Sequence, residues 1–299
     1  MRSATVRNAT LLGLVASGAL LAGCSGDAKV DGGTTPSPLV ATVSRVVPAD
    51  QPVSAPEPVD PLLAKAAWKD GVVRFESGDY VAAADKLKIA VAGRPDDAYR
   101  RYLLGLALWK TGDRDLAEAS LVESANLDPK AVKTWINLAR VRHEREDRAA
   151  ALEAADKAVE LDPTSADALH QRGRALMELG RGDEALVTLT SARTLDPDNG
   201  YIANTLGLLL IQTGLPSEAI EPLEAAKLAL PHIAYVRNNL GVAYERTGRL
   251  DEAKIEYLAA VDAGDSGGKG MMSLVRLGAT DTTQSSGDLV TAAATEPSE

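Results

Sequence analysis

One thiol and three imidazoles are the side chains of this sequence whose types could support chemistry: Cys24, His143, His170 and His232. A single cysteine excludes an internal disulfide and a thiolate metal cage. No His-Glu-x-x-His zinc signature, Gly-rich phosphate loop or Gly-x-Ser-x-Gly nucleophile elbow is present in the sequence. The carboxylates occupy periodic or helix-end positions, so none is marked as a catalytic acid. We therefore predict that the protein is not an enzyme, with no catalytic residue, metal, cofactor or small-molecule substrate.

The surroundings of Cys24 indicate lipid attachment instead. Residues 1–8 carry two arginines, and residues 10–22 form an apolar run too short for the ~20 residues that cross a bilayer. Leu21-Ala22-Gly23-Cys24 resembles the lipobox of bacterial lipoproteins. The resemblance implies that residues 1–23 are a signal peptide that is removed and that Cys24 is lipidated. The alternative is a chance cysteine beside an ordinary cleavage site.

Ser25 bears on the predicted location of the protein, and the segments on either side of its centre are predicted to be disordered. Ser25 stands where some lipoproteins carry an aspartate that retains them in the inner membrane. The resemblance therefore implies an exported protein, lipid-anchored to the cell envelope, on the periplasmic face of an outer membrane if the organism has one. Residues 24–61 are rich in proline and lack apolar periodicity, which predicts a disordered tether. Residues 279–299 are polar and acidic, which predicts a disordered tail.

Between these segments the sequence repeats every 34 residues without insertion or deletion. Prolines recur at Pro95, Pro129, Pro163, Pro197 and Pro231, and alanines at Ala83, Ala117, Ala151, Ala185, Ala219 and Ala253. A second series places a glycine at a turn position, as at Gly78 and Gly112. Since proline cannot continue the helix before it, the spacing predicts a helix, a glycine turn and a second helix in each unit. Small residues are expected where the two helices cross.

The third unit contains Trp135-Ile136-Asn137-Leu138-Ala139, followed by Ala151, Ala158 and Leu161-Asp162-Pro163, and it resembles a tetratricopeptide repeat. The predicted fold is all-α, a right-handed solenoid of six 34-residue helix-turn-helix repeats plus a short C-terminal capping helix. The predicted repeat domain covers residues 62–278. Its repeats are residues 64–97, 98–131, 132–165, 166–199, 200–233 and 234–267, and its capping helix is residues 269–277. Three positions depart from the family pattern and put local hairpin geometry in question: Asp70, Arg172 and Glu146.

One stripe of each first helix lines the concave groove in this family, which makes it the candidate binding site. Its aromatic end, cationic centre and asparagines suit an extended peptide or a partner helix. The predicted groove residues are Trp68, Phe75, Tyr99, Tyr102, Trp109, Asn137, Arg140, Arg174, Asn204 and Asn238. Two alternatives remain open, that the aromatic side chains pack on each other or that they pack on the chain's own tether.

The expected function is a membrane-anchored protein–protein interaction scaffold of the bacterial cell envelope, with pilus or secretion assembly as the expected setting. One alternative is an adaptor that regulates a peptidoglycan-acting enzyme. Another is a homo-oligomer whose groove is filled by a neighbouring copy. Nucleic acid is not an expected partner, because the formal net charge is −10 and phosphate recognition needs a clustered positive surface.

Overall fold

The computed structural model describes residues 59–265 and 267–278. Cys24, the predicted signal peptide, almost all of the predicted tether and the acidic tail lie outside this range. The described residues form thirteen helices and no strand. The helices are α1 Pro61–Glu76, α2 Tyr80–Gly93, α3 Ala98–Thr111, α4 Arg114–Leu127, α5 Val132–Glu144, α6 Arg148–Leu161, α7 Ala166–Glu178, α8 Gly182–Leu195, α9 Gly200–Gln212, α10 Pro216–Ala229, α11 Ala234–Arg246, α12 Leu250–Asp262 and α13 Lys269–Arg276.

Short polar residues and glycines set the ends of these helices. The side chains of Asp79, Asp113 and Asp147 each accept a hydrogen bond from a backbone N–H in the first turn of a second helix, which satisfies a donor that the helix cannot. In five of the six hairpins the turn after the first helix contains a glycine in the left-handed conformation, as at Gly112 with φ 89°. Glu146 takes the same conformation in the third hairpin, with φ 63°, so that turn keeps its geometry without glycine.

Glycines also lie where the two helices of a hairpin cross. A methyl group at Gly173 would lie 2.5 Å from Cγ of Leu189, and a methyl group at Gly207 would lie 2.4 Å from Cγ of Leu223. The third repeat differs at both sides of the crossing, because Ala139 stands at the glycine position and Ala155 at the leucine position. Both alanines are buried in one apolar cluster. A smaller partner therefore makes room for the additional methyl group.

Packing follows the order of the chain. Each first helix packs on its own second helix, each second helix packs on the next first helix, and α3, α5, α7, α9 and α11 also contact one another in succession. Helix α13 packs on α12 and buries Leu274 completely. This arrangement confirms the predicted all-α repeat solenoid, in which each unit contacts mainly its neighbours.

Ion pairs accommodate Asp70 and Arg172, two of the three residues that depart from the family pattern. Asp70 of α1 pairs with Lys86 of α2 at 3.3 Å, and Arg172 of α7 pairs with Asp156 of α6 at 2.7 Å. Arg172 also donates to the hydroxyl of Thr188 in α8 at 3.0 Å. Each polar replacement thus bridges neighbouring helices at a partly exposed position, and the hairpins form with the same helix order as the others.

Candidate functional site

Five first helices line a cavity of about 700 Å³, which we call the groove cavity. Helix α3 contributes one side chain, α5 two and α7 most of one face. Helices α9 and α11 contribute the remainder, together with Asn199, which precedes α9. The lining residues are Trp109, Arg140, His143, Asp167, His170, Gln171, Arg174, Met177, Glu178, Asn199, Tyr201, Asn204, Thr205, Leu208 and Tyr235. The cavity therefore spans repeats two to six, with most of its lining in repeats four and five.

Polar side chains connect successive first helices through contacts between residues 35 positions apart. In each case the fifth position of one repeat bonds to the sixth position of the next. These pairs are Tyr102 with Asn137 (3.1 Å), His170 with Thr205 (2.9 Å) and Asn204 with Asn239 (2.9 Å). These hydrogen bonds join successive first helices, and they give the polar groups beside the cavity partners within the protein.

Gln171 is the exception to this pattern. It occupies the sixth position of the fourth repeat, and the fifth position of the preceding repeat is the apolar Ile136. The Gln171 side chain is only 3% exposed, and its Nε2 has no hydrogen-bond partner among the described residues. Its Oε1 accepts a bond of 3.4 Å from Arg174 Nη1. Gln171 therefore contains a buried amide donor without a partner, and Asn238 Oδ1 is a second buried polar atom of this kind in the described part of the chain.

His170 has a defined tautomer and no charge. The Thr205 hydroxyl donates its only hydrogen to the Tyr201 carbonyl at 2.8 Å, so its oxygen must accept from His170 Nε2, which carries the proton. Burial, together with the positive charges of Arg174 and Arg140, lowers the pKa of His170 to about 3. His170 is thus a neutral wall residue at physiological pH.

Two guanidinium groups lie in the cavity wall without a paired carboxylate. Arg140 donates to Asn137 Oδ1 at 3.1 Å and lies over the ring of Trp109, 5.5 Å from its centroid. Burial lowers the pKa of Arg174, the negative charge of Glu178 opposes that shift, and the nearby positive charge of Arg140 adds to it. Among the described residues neither arginine forms an ion pair, and the nearest carboxylates have other contacts: Glu178 with His143 at 2.8 Å and Glu144 with Arg114 at 3.2 Å. The cavity lining therefore places these two guanidinium groups beside the carboxylates of Asp167 and Glu178 without a direct ion pair to either arginine.

The aromatic side chains at the N-terminal end pack on each other. Trp68 contacts Tyr99 edge-on at 5.8 Å between ring centroids, Tyr99 stacks on Tyr102 at 6.1 Å, and Phe75 contacts Tyr80 at 5.4 Å. Tyr99 and Tyr102 also line a separate cavity of about 260 Å³ between α3, α4 and α5. Of the two alternatives raised by the sequence, mutual packing accounts for these contacts.

Four of the ten predicted groove residues meet in the groove cavity: Trp109, Arg140, Arg174 and Asn204. Asn137 is buried, and its amide bonds to Tyr102 and to the Lys133 carbonyl. Asn238 is buried against α13, where a methyl group at Gly270 would lie 3.0 Å from its Oδ1. The remaining four are the aromatic residues at the N-terminal end. Gln171 and Thr205 were not predicted as groove residues, although both occupy the repeat position of Asn137.

The described residues contain no cluster of three or more His, Cys, Asp or Glu side chains that could hold a metal ion. Within the same ranges, no helix has the length and apolar content needed to span a membrane.

Known proteins share this repeat and this fold. Three family models of the tetratricopeptide repeat match residues 102–166, 142–204 and 234–263. The chain is similar to a tetratricopeptide protein of Thermus thermophilus, at 22% identity and a TM-score of 0.52, over 60% of this chain and 98% of that one. It is also similar to MamA of Desulfovibrio magneticus, at 20% identity and a TM-score of 0.51, over 56% of this chain and 94% of that one. No curated protein sequence matches the chain.

The chain therefore contains tetratricopeptide repeats that form an all-α helical solenoid. Repeats of this kind build extended surfaces for protein–protein interaction, and none of the matched families is catalytic. The two structural likenesses are below one quarter identity and concern the fold alone.

Proposed function

We propose that this protein is an interaction scaffold of the bacterial cell envelope that holds a peptide or helix of a partner protein in the groove cavity. The observation that carries the proposal is the pair of unpaired guanidinium groups beside Trp109. Packing of hairpins needs no such group, and withdrawing a charge from water without a partner costs free energy. A bound partner would supply the missing contacts, and an aromatic residue next to arginine is a common anchor in protein interfaces.

The proposal includes the lipid anchor at Cys24 and a role in pilus or secretion assembly. What supports the anchor is the lipobox resemblance of Leu21-Ala22-Gly23-Cys24, in a segment outside the described residues. Several acyl chains together bind a membrane stably, since each buried methylene contributes ~0.8 kcal/mol. The assembly role rests on a resemblance: proteins that combine a lipobox with tetratricopeptide repeats act in pilus assembly and secretion.

Trp109 and Trp68 form a matched pair for testing the groove. Both lie on first helices and under an arginine, Arg140 over Trp109 and Arg100 over Trp68, yet only Trp109 lines the groove cavity. Partner capture should therefore be measured by crosslinking pull-down from intact cells, with the chain on its native anchor. We expect Trp109→Ala to reduce capture at least tenfold and Trp68→Ala to reduce it by less than threefold.

Circular dichroism on the same preparations controls for folding, and both variants should keep the wild-type helix content. Equal capture by folded Trp109→Ala and wild-type protein would place the partner elsewhere.

The anchor has its own test. The Cys24→Ala variant should be absent from the membrane fraction and should not incorporate radiolabelled lipid. The Ser25→Ala variant should remain in the membrane fraction and incorporate the lipid. Membrane association of a Cys24→Ala chain, together with an unlabelled wild type, would exclude the lipoprotein assignment.

A further inference from the structure

We infer that residues 286–295 of the chain's own tail form a second helix that packs across α13, so that the array closes with a seventh hairpin. This segment lies outside the described residues. The composition of residues 279–299 predicts disorder, but the repeat register within them points to a helix. The inference does not depend on partner binding in the groove cavity. It makes the open face of α13 an internal contact, which a partner protein could reach only by displacing the tail.

Helix α13 is a first helix that has no second helix among the described residues. In each of the six hairpins, the first helix buries the position at which its second helix crosses it. These positions are Gly71, Gly105, Ala139, Gly173, Gly207 and Gly241. The counterpart in α13, one repeat period after Gly241, is Val275, which is 61% exposed. Helix α13 therefore presents an apolar side chain at the place where a second helix packs in every other hairpin.

The tail continues the buried pattern of the second helices. Helices α6, α8 and α10 bury the same four positions of the repeat, which in α8 are Ala185, Thr188, Leu189 and Ala192. One more step of the 34-residue period beyond α12 places Gly287, Val290, Thr291 and Ala294 at these positions. All four side chains are small or β-branched, and their spacing is that of one face of a helix. Asp288 and Glu296 fall at other positions, which suits a face open to water.

Side-chain sizes at the proposed crossing are complementary. Val275 is larger than the glycine at this position in most repeats, and Thr291 is smaller than the leucine that contacts that glycine in the fourth and fifth repeats. The third repeat makes the same exchange, with Ala139 on the first helix and Ala155 on the second. A larger residue on α13 is therefore matched by a smaller residue on the tail.

Both ends of the tail segment carry helix signals. Ser285 and Asp288 have the spacing of a capping box, in which each side chain bonds to the backbone N–H of the other residue. Pro297 cannot continue a helix, so the helix ends before it. Helix α13 ends at Arg276, about one turn before the counterpart of the last residue of α11, which leaves residues 277–284 to connect the two helices. A connection of this length adds little to the entropic cost of closing the hairpin.

Disulfide trapping tests the contact in the full chain carrying Cys24→Ala, so that two introduced cysteines are the only thiols. One variant pairs Val275→Cys with Thr291→Cys, and its matched control pairs Val275→Cys with Leu289→Cys. In a helix, positions 289 and 291 face away from each other, because two residues correspond to about 200° of rotation. We expect the 275–291 disulfide to form at least tenfold faster than the 275–289 disulfide under the same mild oxidant.

A tail without a helix would present positions 289 and 291 to Val275 about equally often. A smaller difference in rate, a faster 275–289 pair, or no disulfide from either pair would therefore overturn the inference.

Thermal unfolding of the full chain gives an independent readout. Thr291→Asp places a charge in the proposed crossing, whereas Leu289→Asp places the same charge on the solvent side. We expect Thr291→Asp to lower the melting temperature by about 2–4 °C and Leu289→Asp to leave it within about 1 °C of the wild type. Equal melting temperatures of the two variants would also contradict the seventh hairpin.

Discussion

Glu146 adopts a strained backbone conformation at a turn where the other repeats have glycine. Its φ of 63° belongs to the conformation that Gly112 and Gly180 adopt at the same point of their hairpins. In that region a β-carbon approaches the backbone carbonyl oxygen, which costs an L-residue about 1–2 kcal/mol. The hairpin forms because the helices on both sides determine the turn.

Glu146→Gly should therefore stabilise the protein. Glycine removes the steric cost but loses more entropy on folding, so the expected net gain in the free energy of unfolding is about 0.5–1 kcal/mol. Glu146→Ala is the matched control, because it removes the charge and keeps the β-carbon, and it should give no gain. Urea denaturation measures both, and an equal gain in the two variants would assign the effect to charge instead.

Burial of His170 predicts a pH dependence of stability. The pKa of His170 is about 3 in the folded protein, below its ordinary value of 6.5, so between these values the unfolded chain binds a proton that the folded chain does not. Stability should therefore fall as the pH falls from 6.5. This one group should remove about 2 kcal/mol by pH 5.

His170→Gln keeps an amide donor for Thr205 and does not titrate, so its loss of stability between pH 7.5 and pH 5 should be about 2 kcal/mol smaller than in the wild type. Urea denaturation at the two pH values gives the comparison. Thr205→Val breaks the hydrogen bond without removing the imidazole and should lower stability at both pH values. An identical pH dependence in wild type and His170→Gln would contradict the buried, neutral state.

Residue patterns predicted only part of the cavity. Arg140, Arg174, Trp109 and Asn204 could be predicted because they lie on the exposed stripe of each first helix. Gln171 could not, since its role depends on contact with a helix 35 residues away and on the apolar Ile136 there. Polar groups on successive first helices pair between residues 35 positions apart, one more than the 34-residue period. The period of the repeat does not predict that offset.

At the scale of elements, the hairpin crossing sets how closely two helices approach. Gly173→Ala would place a methyl group 2.5 Å from Cγ of Leu189, so the helices must separate or the leucine must move. We expect destabilisation of about 1–3 kcal/mol, the usual range for overpacking. Thermal or urea unfolding of the variant gives the value.

The third repeat supplies the control, because Ala139 and Ala155 fill the same crossing with alanine on both sides. Gly173→Ala with Leu189→Ala should accordingly be more stable than the sum of the two single changes predicts. Additive effects would mean that the two side chains do not share the crossing.

The elements themselves were the most predictable level. Proline, glycine and alanine at fixed spacing predicted each hairpin, and the polar departures at Asp70 and Arg172 changed only local ion pairs. In repeat arrays each unit contacts mainly its neighbours, so a local pattern is sufficient to specify the fold.

Across the described residues, the apolar core is divided while the cavity is continuous. One large cluster extends from Ala83 to Ala155 and another from Leu176 to Leu274, with smaller clusters between them. The groove cavity spans this division, with Trp109 from the first cluster's helices and Tyr235 from the second's. A ligand in the cavity would contact both halves and so should raise the free energy of unfolding of the array, by an amount that grows with the logarithm of the ligand concentration above Kd.

The central claim is that a partner binds in the groove cavity, and site-specific photo-crosslinking in intact cells tests it most directly. A photoreactive residue replaces Tyr201, which lines the cavity and is 51% exposed, or Val187, which lies on the second helix α8 and is 69% exposed. We predict a discrete crosslinked partner from position 201 and none from position 187. Crosslinking to the same protein from position 187 alone, or equally from both positions, would contradict the account.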